Sequence, residues 1–405
     1  MIDFELDGLA TIRDMVHWFA ENEVRPRAIE ADRRGGVSED FIVKAQQLGL
    51  SAGGAPREYG GEGDGLGERK DRTGHRTANR LAVVGAEEMA WGDPAVILAF
   101  PGPGLGGPPV ALSGTPEQKK RFFSVFTPGK PPAWGAYATT EPGCGSDVAA
   151  IATTCKKDGD HYVLNGRKCF ITNGGRASWV VVFATIDPAL GRAGQRAFVV
   201  ERATPGFTVG KIEKKLGLRA SETAELVLEN VRVHKDNLLG GEERYERADK
   251  EGFKTAMKTF DSSRPMVGAM ALGIARAAFE EARAFVKEHY MLGRPVVRYG
   301  AVRETLVEME RRIDAGRLLC WSAASMADAG QPNSKEASMA KAYCARVGQW
   351  VTGKAMELMG GFGTERERLV EKLYRDIKVY DIFEGTGEVQ RLVISRRLMP
   401  EIAIR

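Results

Sequence analysis

The chain has 405 residues, of which 43% are hydrophobic and 28% charged, a composition typical of a globular protein with two or three domains. Its formal net charge of +4 at pH 7 is small for this length and gives no case for a nucleic-acid-binding protein, which normally shows a concentrated basic face. No apolar run approaches 18 residues, so the sequence predicts no membrane-spanning helix.

The five cysteines are odd in number and show no C-x-x-C spacing, a pattern that favours a reduced intracellular protein. The five histidines form no H-x-x-x-H pair, and we therefore predict no metal site. The first residues are acidic and lack the basic region that begins a secretory or transit peptide. From these features we expect a cytoplasmic protein.

Residues 1–135 are predicted to form an N-terminal helical domain. Apolar residues recur at helical spacing from Leu9 to Ala20 and again from Phe41 to Leu48. Residues 59–67 are predicted to be a loop because of their glycines, and residues 100–109 contain too much glycine and proline for a full helix. Thr115 followed by Pro116 predicts the start of a helix, with Thr115 as its N-cap.

Residues 136–245 are predicted to form a middle β domain. Short apolar runs with intervening turns predict strands at residues 161–171, 179–186, 196–200, 206–209 and 224–233. The dipeptide Asn165-Gly166 lies between two apolar segments and predicts a hairpin turn. No helix-length segment separates the strands, so an antiparallel sandwich or barrel is favoured over a doubly wound nucleotide-binding fold.

Residues 246–405 return to helical periodicity and are predicted to form a C-terminal bundle. Long helices are expected from Gly252 to about Tyr290, from Val302 to Ala327 and from Lys335 to Met359. The second should bury a stripe formed by Leu306, Met309, Ile313 and Leu318. Gly360-Gly361 should end the third helix, and two shorter helices should flank residues 380–391.

The stretch 380–391 combines one carboxylate with a glycine-rich turn. Glu384 follows an apolar and aromatic run, and Gly385 allows a backbone to approach a ligand closely. Thr386 is placed to cap the following helix, whose N-terminus favours an anion or a ligand oxygen. The stretch therefore offers a general base and backbone N–H donors at one point. The plainer interpretation of the same residues is a capped turn between two helices.

Three motifs in this order resemble the acyl-CoA dehydrogenase family, most closely its medium-chain branch. They are Tyr137-Ala-Thr-Thr-Glu-Pro-Gly-Cys-Gly-Ser-Asp147, Lys168-Cys-Phe-Ile-Thr-Asn-Gly-Gly175 and the stretch 380–391, with further likeness at residues 260–265 and 370–378. The resemblance implies a mostly helical α+β fold with an N-terminal helical domain, a middle antiparallel β-barrel-like domain and a C-terminal four-helix bundle. It also implies FAD held between two subunits, usually in a homotetramer.

The resemblance further implies an activity in fatty acid β-oxidation. Members of the family oxidise an acyl-CoA thioester to the trans-2-enoyl-CoA and pass the electrons to an electron-transfer flavoprotein. Glu384 matches the catalytic base, and its own backbone N–H matches one donor to the thioester oxygen, the flavin ribityl hydroxyl being the other. Removal of water from the site should raise the pKa of this base toward that of the substrate.

The resemblance assigns two further groups of residues. Those that match positions around FAD are Tyr137, Thr139, Thr140, Gly145, Ser146, Phe170, Thr172 and Thr386. Those that match the acyl-CoA channel are Ser146, Phe253, Met257, Phe260, Asp261, Arg264, Phe383 and Gly385. The plainer alternatives are a glycine-rich turn and an Asn-Gly turn for the flavin motifs, and ordinary core packing or an Asp261 pair with Arg264 for the channel.

In the adenine half of the FAD site, Gly361 matches the family pattern, but three other residues depart from it. His289 stands where an arginine commonly reaches the FAD pyrophosphate across a subunit boundary, and it cannot form a bidentate clamp. Glu357 and Glu388 replace two glutamines, and their charges would repel a diphosphate unless they are paired or protonated. These departures leave two alternatives open: a heterotetramer whose partner chain completes the FAD site, and a relative that oxidises another substrate, including with O₂.

Overall fold

The computed structural model describes residues 9–49, 55–59, 70, 74, 76–127, 129–247 and 251–399, and it describes the backbone alone at residues 9, 247 and 251–262. Within these ranges the chain runs from helices through a β-sheet to a second set of helices. This order agrees with the predicted succession of helical, β and helical segments. No helix among the described residues is both long and apolar enough to cross a membrane.

The N-terminal segment forms several short helices and one longer helix of 15 residues. They are α1 (Leu9–Phe19), α2 (Ala28–Arg34), α3 (Glu39–Gln47), α4 (Ala78–Gly92), α5 (Pro94–Leu98), α6 (Gly107–Ser113) and α7 (Pro116–Phe123). Thr115 caps α7 as predicted, in a reciprocal capping box with Gln118. The predicted loop at residues 59–67 lies outside the described residues except for Tyr59, which ends a 3₁₀ turn.

The proline- and glycine-rich stretch 100–109 does not form a full helix, as predicted, although its second half is helical. A 3₁₀ turn at Gly104–Gly106 leads into α6, whose first positions are Gly107, Pro108 and Pro109. Proline lacks a backbone N–H, but the first turn of a helix leaves its N–H groups without intrahelical partners. Prolines at the start of α6 therefore cost no helical hydrogen bond.

The middle segment forms a seven-stranded sheet with the order β1-β4-β2-β3-β7-β6, in which β5 pairs with β4. The strands are β1 (Gly135–Ala138), β2 (Thr154–Asp158), β3 (His161–Thr172), β4 (Trp179–Thr185), β5 (Gln195–Glu201), β6 (Phe207–Ile212) and β7 (Thr223–His234). Most pairs are antiparallel, but β1 and β2 run parallel to β4. Every residue of β4 is buried because its two faces pack into separate apolar cores.

The predicted hairpin turn at Asn165-Gly166 is wrong. Both residues lie inside β3, where the pairing with β7 shifts register between Leu164 and Gly166. A Cβ atom at Gly166 would lie 2.4 Å from Oγ1 of Thr153, so glycine permits a close backbone approach here instead of a turn. The hairpin between β2 and β3 turns at Gly159 (φ 59°), directly after Asp158.

The C-terminal segment forms the predicted bundle. Its helices are α8 (Glu242–Arg247), α9 (Glu251–Glu288), α10 (Gly300–Asp328), α11 (Ser334–Met359), α12 (Leu369–Asp376) and α13 (Gly387–Leu398), with a small hairpin of β8 (Tyr290–Met291) and β9 (Arg294–Pro295) after α9. Helices α9, α10 and α11 pack together, α13 lies against α11, and α4 covers α9 from the N-terminal side. Gly360 ends α11 at a φ of 58°.

One residue of the predicted α10 stripe is misplaced. Leu306, Met309 and Ile313 are buried, whereas Leu318 is 53% exposed. Leu318 lies five residues after Ile313 and has therefore turned out of the buried face, which Gly316 and Cys320 continue instead.

A buried cluster of charges joins the three parts of the chain close to the stretch 380–391. Lys372 of α12 pairs with Asp376 of the same helix and with Asp93, which caps α5. Asp376 also accepts a hydrogen bond of 2.6 Å from the backbone N–H of Leu218, in the loop before β7. Because buried charges are stable only when paired, this cluster fixes α5, the β domain and α12 relative to one another.

Candidate active site

The backbone at Glu384 and Gly385 is held in a conformation that most residues avoid. The stretch joins a 3₁₀ turn at Ile377–Asp381 to α13, and Thr386 caps α13 by accepting a hydrogen bond of 3.3 Å from the backbone N–H of Val389. Glu384 has a φ of 54° and Gly385 a φ of 93°. A glutamate in the left-handed region is uncommon, and such residues concentrate at functional sites where surrounding structure holds them.

Two buried side chains hold this turn through its carbonyl groups. Lys341 of α11 donates from Nζ to the Gly385 carbonyl oxygen at 2.7 Å. Gln390 of α13 donates from Nε2 to the same oxygen at 3.0 Å and to the Glu384 carbonyl at 3.4 Å. These contacts fix the direction in which the Glu384 side chain leaves the backbone.

The Glu384 carboxylate meets one hydroxyl and two cationic side chains. Ser263 of α9 donates a hydrogen bond from Oγ to Oε2. Burial raises the pKa of Glu384 above its ordinary value, while the Ser263 hydrogen bond and the charges of Lys341 and Arg264 act to lower the pKa. The group thus has the raised pKa suited to a general base before any substrate arrives.

Tyr137 links this carboxylate to the β-sheet. Burial raises the pKa of Tyr137 far above its ordinary range, and the charge of Glu384 raises it further. Tyr137 lies in β1, next to the segment that carries Thr139 and Thr140. The charge of Glu384 therefore reaches the end of β1.

The second flavin motif places an exposed aromatic ring on the sheet. Phe170 is 63% exposed and has a φ of 58°, at a point where β3 shifts register against β7. Thr172, two residues later, is also exposed. An outward ring in a strained backbone offers a flat apolar surface beside hydroxyl donors, and this combination fits the isoalloxazine ring of FAD.

A buried ion pair attaches the first flavin motif to the second. Lys168 of β3 is fully buried and lies 2.6 Å from Glu141, and its Nζ also donates to the Thr139 carbonyl at 3.1 Å. Glu141 in turn accepts from the backbone N–H groups of Ala152 and Thr153. The backbone N–H of residue 169 donates to the Thr140 carbonyl at 3.0 Å. These contacts hold residues 139–153 against β3.

Gly145 and Ser146 lie at the exposed tip of that segment. A Cβ atom added at Gly145 would meet no other atom within 4 Å, so the backbone here is open to a ligand. Exposed backbone N–H groups in a glycine-rich turn are suitable donors to a phosphate. The donor set at residues 137–146 and 170–172 therefore fits the flavin and phosphate half of FAD.

Of the four residues predicted to bind the adenine half, Glu388 stands four residues after Glu384, whereas His289, Glu357 and Gly361 lie elsewhere in the chain. His289 stacks on Phe285 with 3.6 Å between ring centroids, and Phe362, next to Gly361, lies 5.7 Å away. Glu357 stands sixteen residues after Lys341 in α11, about 24 Å along a helix that rises 1.5 Å per residue. The chain therefore does not bring His289, Glu357 and Gly361 together with its own Glu384.

Both carboxylates that replace glutamines have a cationic partner. Glu357 lies 2.5 Å from Lys354, and Glu388 lies 3.6 Å from Arg391. The backbone N–H of Glu388 itself and the hydroxyl of Thr386 lower the pKa of Glu388, which stands in the first turn of α13. The condition under which these carboxylates would tolerate a diphosphate, namely pairing, is therefore met.

The predicted substrate channel is described only in part. The side chains of Phe253, Met257, Phe260 and Asp261 lie outside the described residues, although their backbone belongs to α9. Arg264 is buried near Glu384, and its charge reaches that carboxylate. Phe383 packs edge-on against the buried Tyr380 at 4.9 Å.

Sequence reasoning did not single out Ser263, Lys341 or Gln390. Ser263 and Gln390 lie inside motifs that carried the resemblance, so the sequence could have indicated that they lie near the site. It could not have indicated the hydrogen bonds that they make. No sequence feature pointed to Lys341, apart from its position on the buried face of a predicted helix. Among the described residues, no group of three or more His, Cys, Asp or Glu side chains is placed to hold a metal ion.

Three family models match successive parts of the chain. They are described as acyl-CoA dehydrogenase N-terminal domain (residues 7–130), middle domain (residues 136–231) and C-terminal domain (residues 250–399). Among curated proteins, the chain is 39% identical to a short-chain-specific acyl-CoA dehydrogenase of Clostridium acetobutylicum, over 96% of this chain and 97% of that protein. It is 38% identical to a 3-(aryl)acrylate reductase of Clostridium sporogenes, over the same shares of the two chains.

Solved structures show the same fold. Butyryl-CoA dehydrogenase from Megasphaera elsdenii superposes with a TM-score of 0.86 at 34% identity, covering 98% of this chain and 100% of that chain. A chain in a structure reported under the electron transferring flavoprotein of Acidaminococcus fermentans also gives a TM-score of 0.86, at 36% identity, covering 98% of this chain and 99% of that chain.

Proposed function

The chain belongs to the acyl-CoA dehydrogenase family of FAD-dependent oxidoreductases, and we propose that it oxidises the Cα–Cβ bond of an acyl-CoA thioester to the trans-2-enoyl-CoA. The observation that carries this proposal is the arrangement at Glu384. A carboxylate with a raised pKa lies in a strained, firmly held turn, and its charge reaches Tyr137, the first residue of the first flavin motif.

Glu384 removes the proton from the Cα atom of the substrate. Ser263 donates to Oε2, which leaves Oε1 as the oxygen that accepts the proton. The hydrogen on a carbon next to a thioester is weakly acidic, and a base with a raised pKa matches it better than an ordinary carboxylate. FAD, when bound, accepts the hydride from Cβ, so that two electrons and one hydrogen leave the substrate together.

The backbone N–H of Glu384 stabilises the charge that develops on the thioester oxygen. No described residue accepts a hydrogen bond from this N–H. It therefore remains available to the substrate carbonyl, at the turn whose conformation Lys341 and Gln390 fix. A donor that is already oriented needs no reorganisation as the charge forms.

The flavin-facing residues orient the cofactor and exclude water. Phe170 would shield the isoalloxazine ring, and the hydroxyl groups of Thr139, Thr140 and Thr172 would be its hydrogen-bond donors. Gly145 and Ser146 hold phosphate oxygens through backbone N–H groups. An electron-transfer flavoprotein is the proposed electron acceptor, in line with the structure of the Acidaminococcus fermentans protein that the chain resembles.

The reverse reaction is a second candidate, because two relatives are named as reductases of acrylate derivatives. These are the 3-(aryl)acrylate reductase and an acryloyl-CoA reductase (NADH) of Anaerotignum propionicum, to which the chain is 36% identical over 96% of its length. In that direction Glu384 would return a proton to Cα while a hydride from reduced flavin enters at Cβ. The same residues serve both directions.

The proposal is tested by anaerobic titration of the purified flavoprotein with a panel of acyl-CoA thioesters of different chain length and branching. We expect at least one thioester to bleach the visible flavin band in a stoichiometric manner. Addition of the corresponding enoyl-CoA to the dithionite-reduced protein reports the reverse direction. A fully flavinated protein that no thioester bleaches and no enoyl-CoA reoxidises would contradict the proposal.

A further inference from the structure

The strained turn at Glu384 depends on a buried cation that has no surface role. Lys341 is fully buried on α11, and its Nζ lies 2.7 Å from the Gly385 carbonyl. Burying an ammonium group is costly unless it is paired and hydrogen-bonded. The hydrogen bond to the Gly385 carbonyl must therefore offset part of the free-energy cost of burying the Lys341 ammonium group.

The charges that face Lys341 come from four different elements. The charges of Asp381, in the 3₁₀ turn before Glu384, and of Glu384 itself act to raise the pKa of Lys341. Arg264 on α9 is a like charge, and Glu388 on α13 is a further carboxylate. The negative groups outnumber the positive one, so these charges oppose the lowering of the Lys341 pKa by burial.

Lys341 acts on Glu384 in two distinct ways. Its hydrogen bond is charge-assisted, and such bonds are about twice as strong as neutral ones, so it holds the Gly385 peptide more firmly than Gln390 alone can. Its positive charge also lowers the pKa of Glu384, against the raising effect of burial. The first effect sets the direction of the carboxylate, and the second sets how much of it is ionised.

We propose that Lys341 is a positioning residue for the base Glu384, in that its ammonium group fixes the strained Glu384–Gly385 turn and keeps the carboxylate ionised. This inference rests on the proposed function of Glu384 as the base. On this basis, the free enzyme is active when Glu384 is deprotonated and Lys341 is protonated.

If Lys341 must be protonated to position Glu384, its titration should appear in the pH dependence of kcat/KM. A lysine with a purely structural role would not have this effect. Burial lowers the pKa of Lys341 to about 8, with the nearby carboxylates Asp381 and Glu384 opposing that shift. The protonated form of Lys341 is the active one, so kcat/KM falls as pH rises through about 8. The deprotonated form of Glu384 is the active one, so kcat/KM also falls as pH drops through the raised pKa of Glu384.

The test is the pH profile of kcat/KM for substrate-dependent flavin reduction, measured for the flavin-loaded wild type, Lys341→Arg and Lys341→Gln. Lys341→Gln should lose activity about tenfold to a hundredfold, the usual effect of a misplaced catalytic group. It should also lack the alkaline limb, and its acid limb should move to higher pH. Lys341→Arg should lack the alkaline limb, recover part of the activity and keep the acid limb near the wild-type position.

Lys335→Gln is the matched control, because Lys335 lies on the same helix and pairs with Glu336 at 3.0 Å, away from the turn. It should retain the wild-type profile. Wild-type limbs that persist unchanged in Lys341→Gln would overturn the proposal. Where neither Lys341 variant folds, the wild type decides: an alkaline limb near pH 8 supports the proposal and its absence overturns it. Failure of the wild type to reduce its flavin with any thioester would instead refute the proposed function.

Discussion

Glu384 shows how one residue can be tuned by neighbours that are distant in sequence. Ser263, Lys341 and Gln390 stand 121, 43 and 6 residues away from it along the chain, and each contacts Glu384 or the peptide that follows it. The motif at residues 380–391 predicted Glu384 as the base only together with the two upstream motifs, since on its own it also fits a capped turn. The contacts from α9 and α11 were not predictable, because they depend on how the helices pack and not on any local pattern.

Removal of the Ser263 hydroxyl should weaken the base in a pH-dependent way. Ser263→Ala deletes a hydrogen bond to the ionised carboxylate, an interaction worth about 1.5–3 kcal/mol. Because that bond lowers the pKa of Glu384, its loss raises the pKa and moves the acid limb of kcat/KM to higher pH. We expect roughly a tenfold or larger loss of kcat/KM below the new pKa, measured by flavin reduction. Ser395→Ala, on the exposed side of α13, should change neither quantity.

At the scale of the elements, β3 contains the wrongly predicted turn at Asn165-Gly166, and it also contains Lys168, whose buried ion pair was not predicted. Asn165-Gly166 has the composition of a hairpin turn, but in β3 the glycine gives room to Thr153 and Asn165 pairs with Asn230 of β7. A short motif is overridden when a neighbouring strand occupies the place of the turn. The capping of α7 by Thr115 was predictable because its box is complete within four residues.

The buried pair between Lys168 and Glu141 should be a strong link between β3 and the first flavin motif. Lys168→Met leaves the Glu141 carboxylate buried without its cation, and breaking such a pair costs about 3–5 kcal/mol. The double variant Lys168→Met/Glu141→Gln should recover a substantial part of that loss. Urea unfolding of the single and double variants measures these free energies.

The exposed ion pair between Arg167 and Glu225 is the control for the Lys168 and Glu141 variants. Arg167 lies next to Lys168 on β3, and it contacts Glu225 at 3.4 Å with an exposed side chain. Arg167→Met should cost less than about 1 kcal/mol, as exposed pairs usually do. Equal losses for Lys168→Met and Arg167→Met would show that burial does not strengthen the link.

At the scale of the whole molecule, one chain separates the two halves of the expected FAD site. Lys341, which contacts the turn at Glu384, and Glu357 stand sixteen residues apart on α11, about 24 Å at 1.5 Å per residue. Gly361 and Phe362 follow the end of α11, and the ring of His289 lies 5.7 Å from that of Phe362. The adjoining hairpin leaves Tyr290 and Leu292 70% and 91% exposed. We propose that a second chain covers this surface, as in the homotetramer that the family pattern implies. A single sequence predicts the domains of such a protein, but not which chains complete its cofactor site.

Replacement of His289 by arginine should strengthen the retention of FAD. His289 stacks on Phe285 and lies 5.7 Å from Phe362, and a longer guanidinium group would extend past these rings. An arginine can form two parallel hydrogen bonds with a phosphate, and we expect about a tenfold lower Kd for FAD. Fluorescence titration of the apoprotein with FAD measures this change. Phe362→Leu, which alters the stack without adding a charge, should give no gain, and an unchanged Kd in His289→Arg would count against the assigned phosphate contact.

The central claim is that Glu384 removes the α-proton. The most direct measurement is exchange of the substrate α-hydrogen with deuterated solvent, followed by mass spectrometry of the recovered thioester, for wild type and Glu384→Gln at equal flavin content. The account predicts rapid exchange in the wild type and a loss of about a thousandfold or more in Glu384→Gln, since a general base contributes roughly 10²–10⁴ in rate and the amide cannot accept the proton. Exchange at the wild-type rate in Glu384→Gln would contradict it.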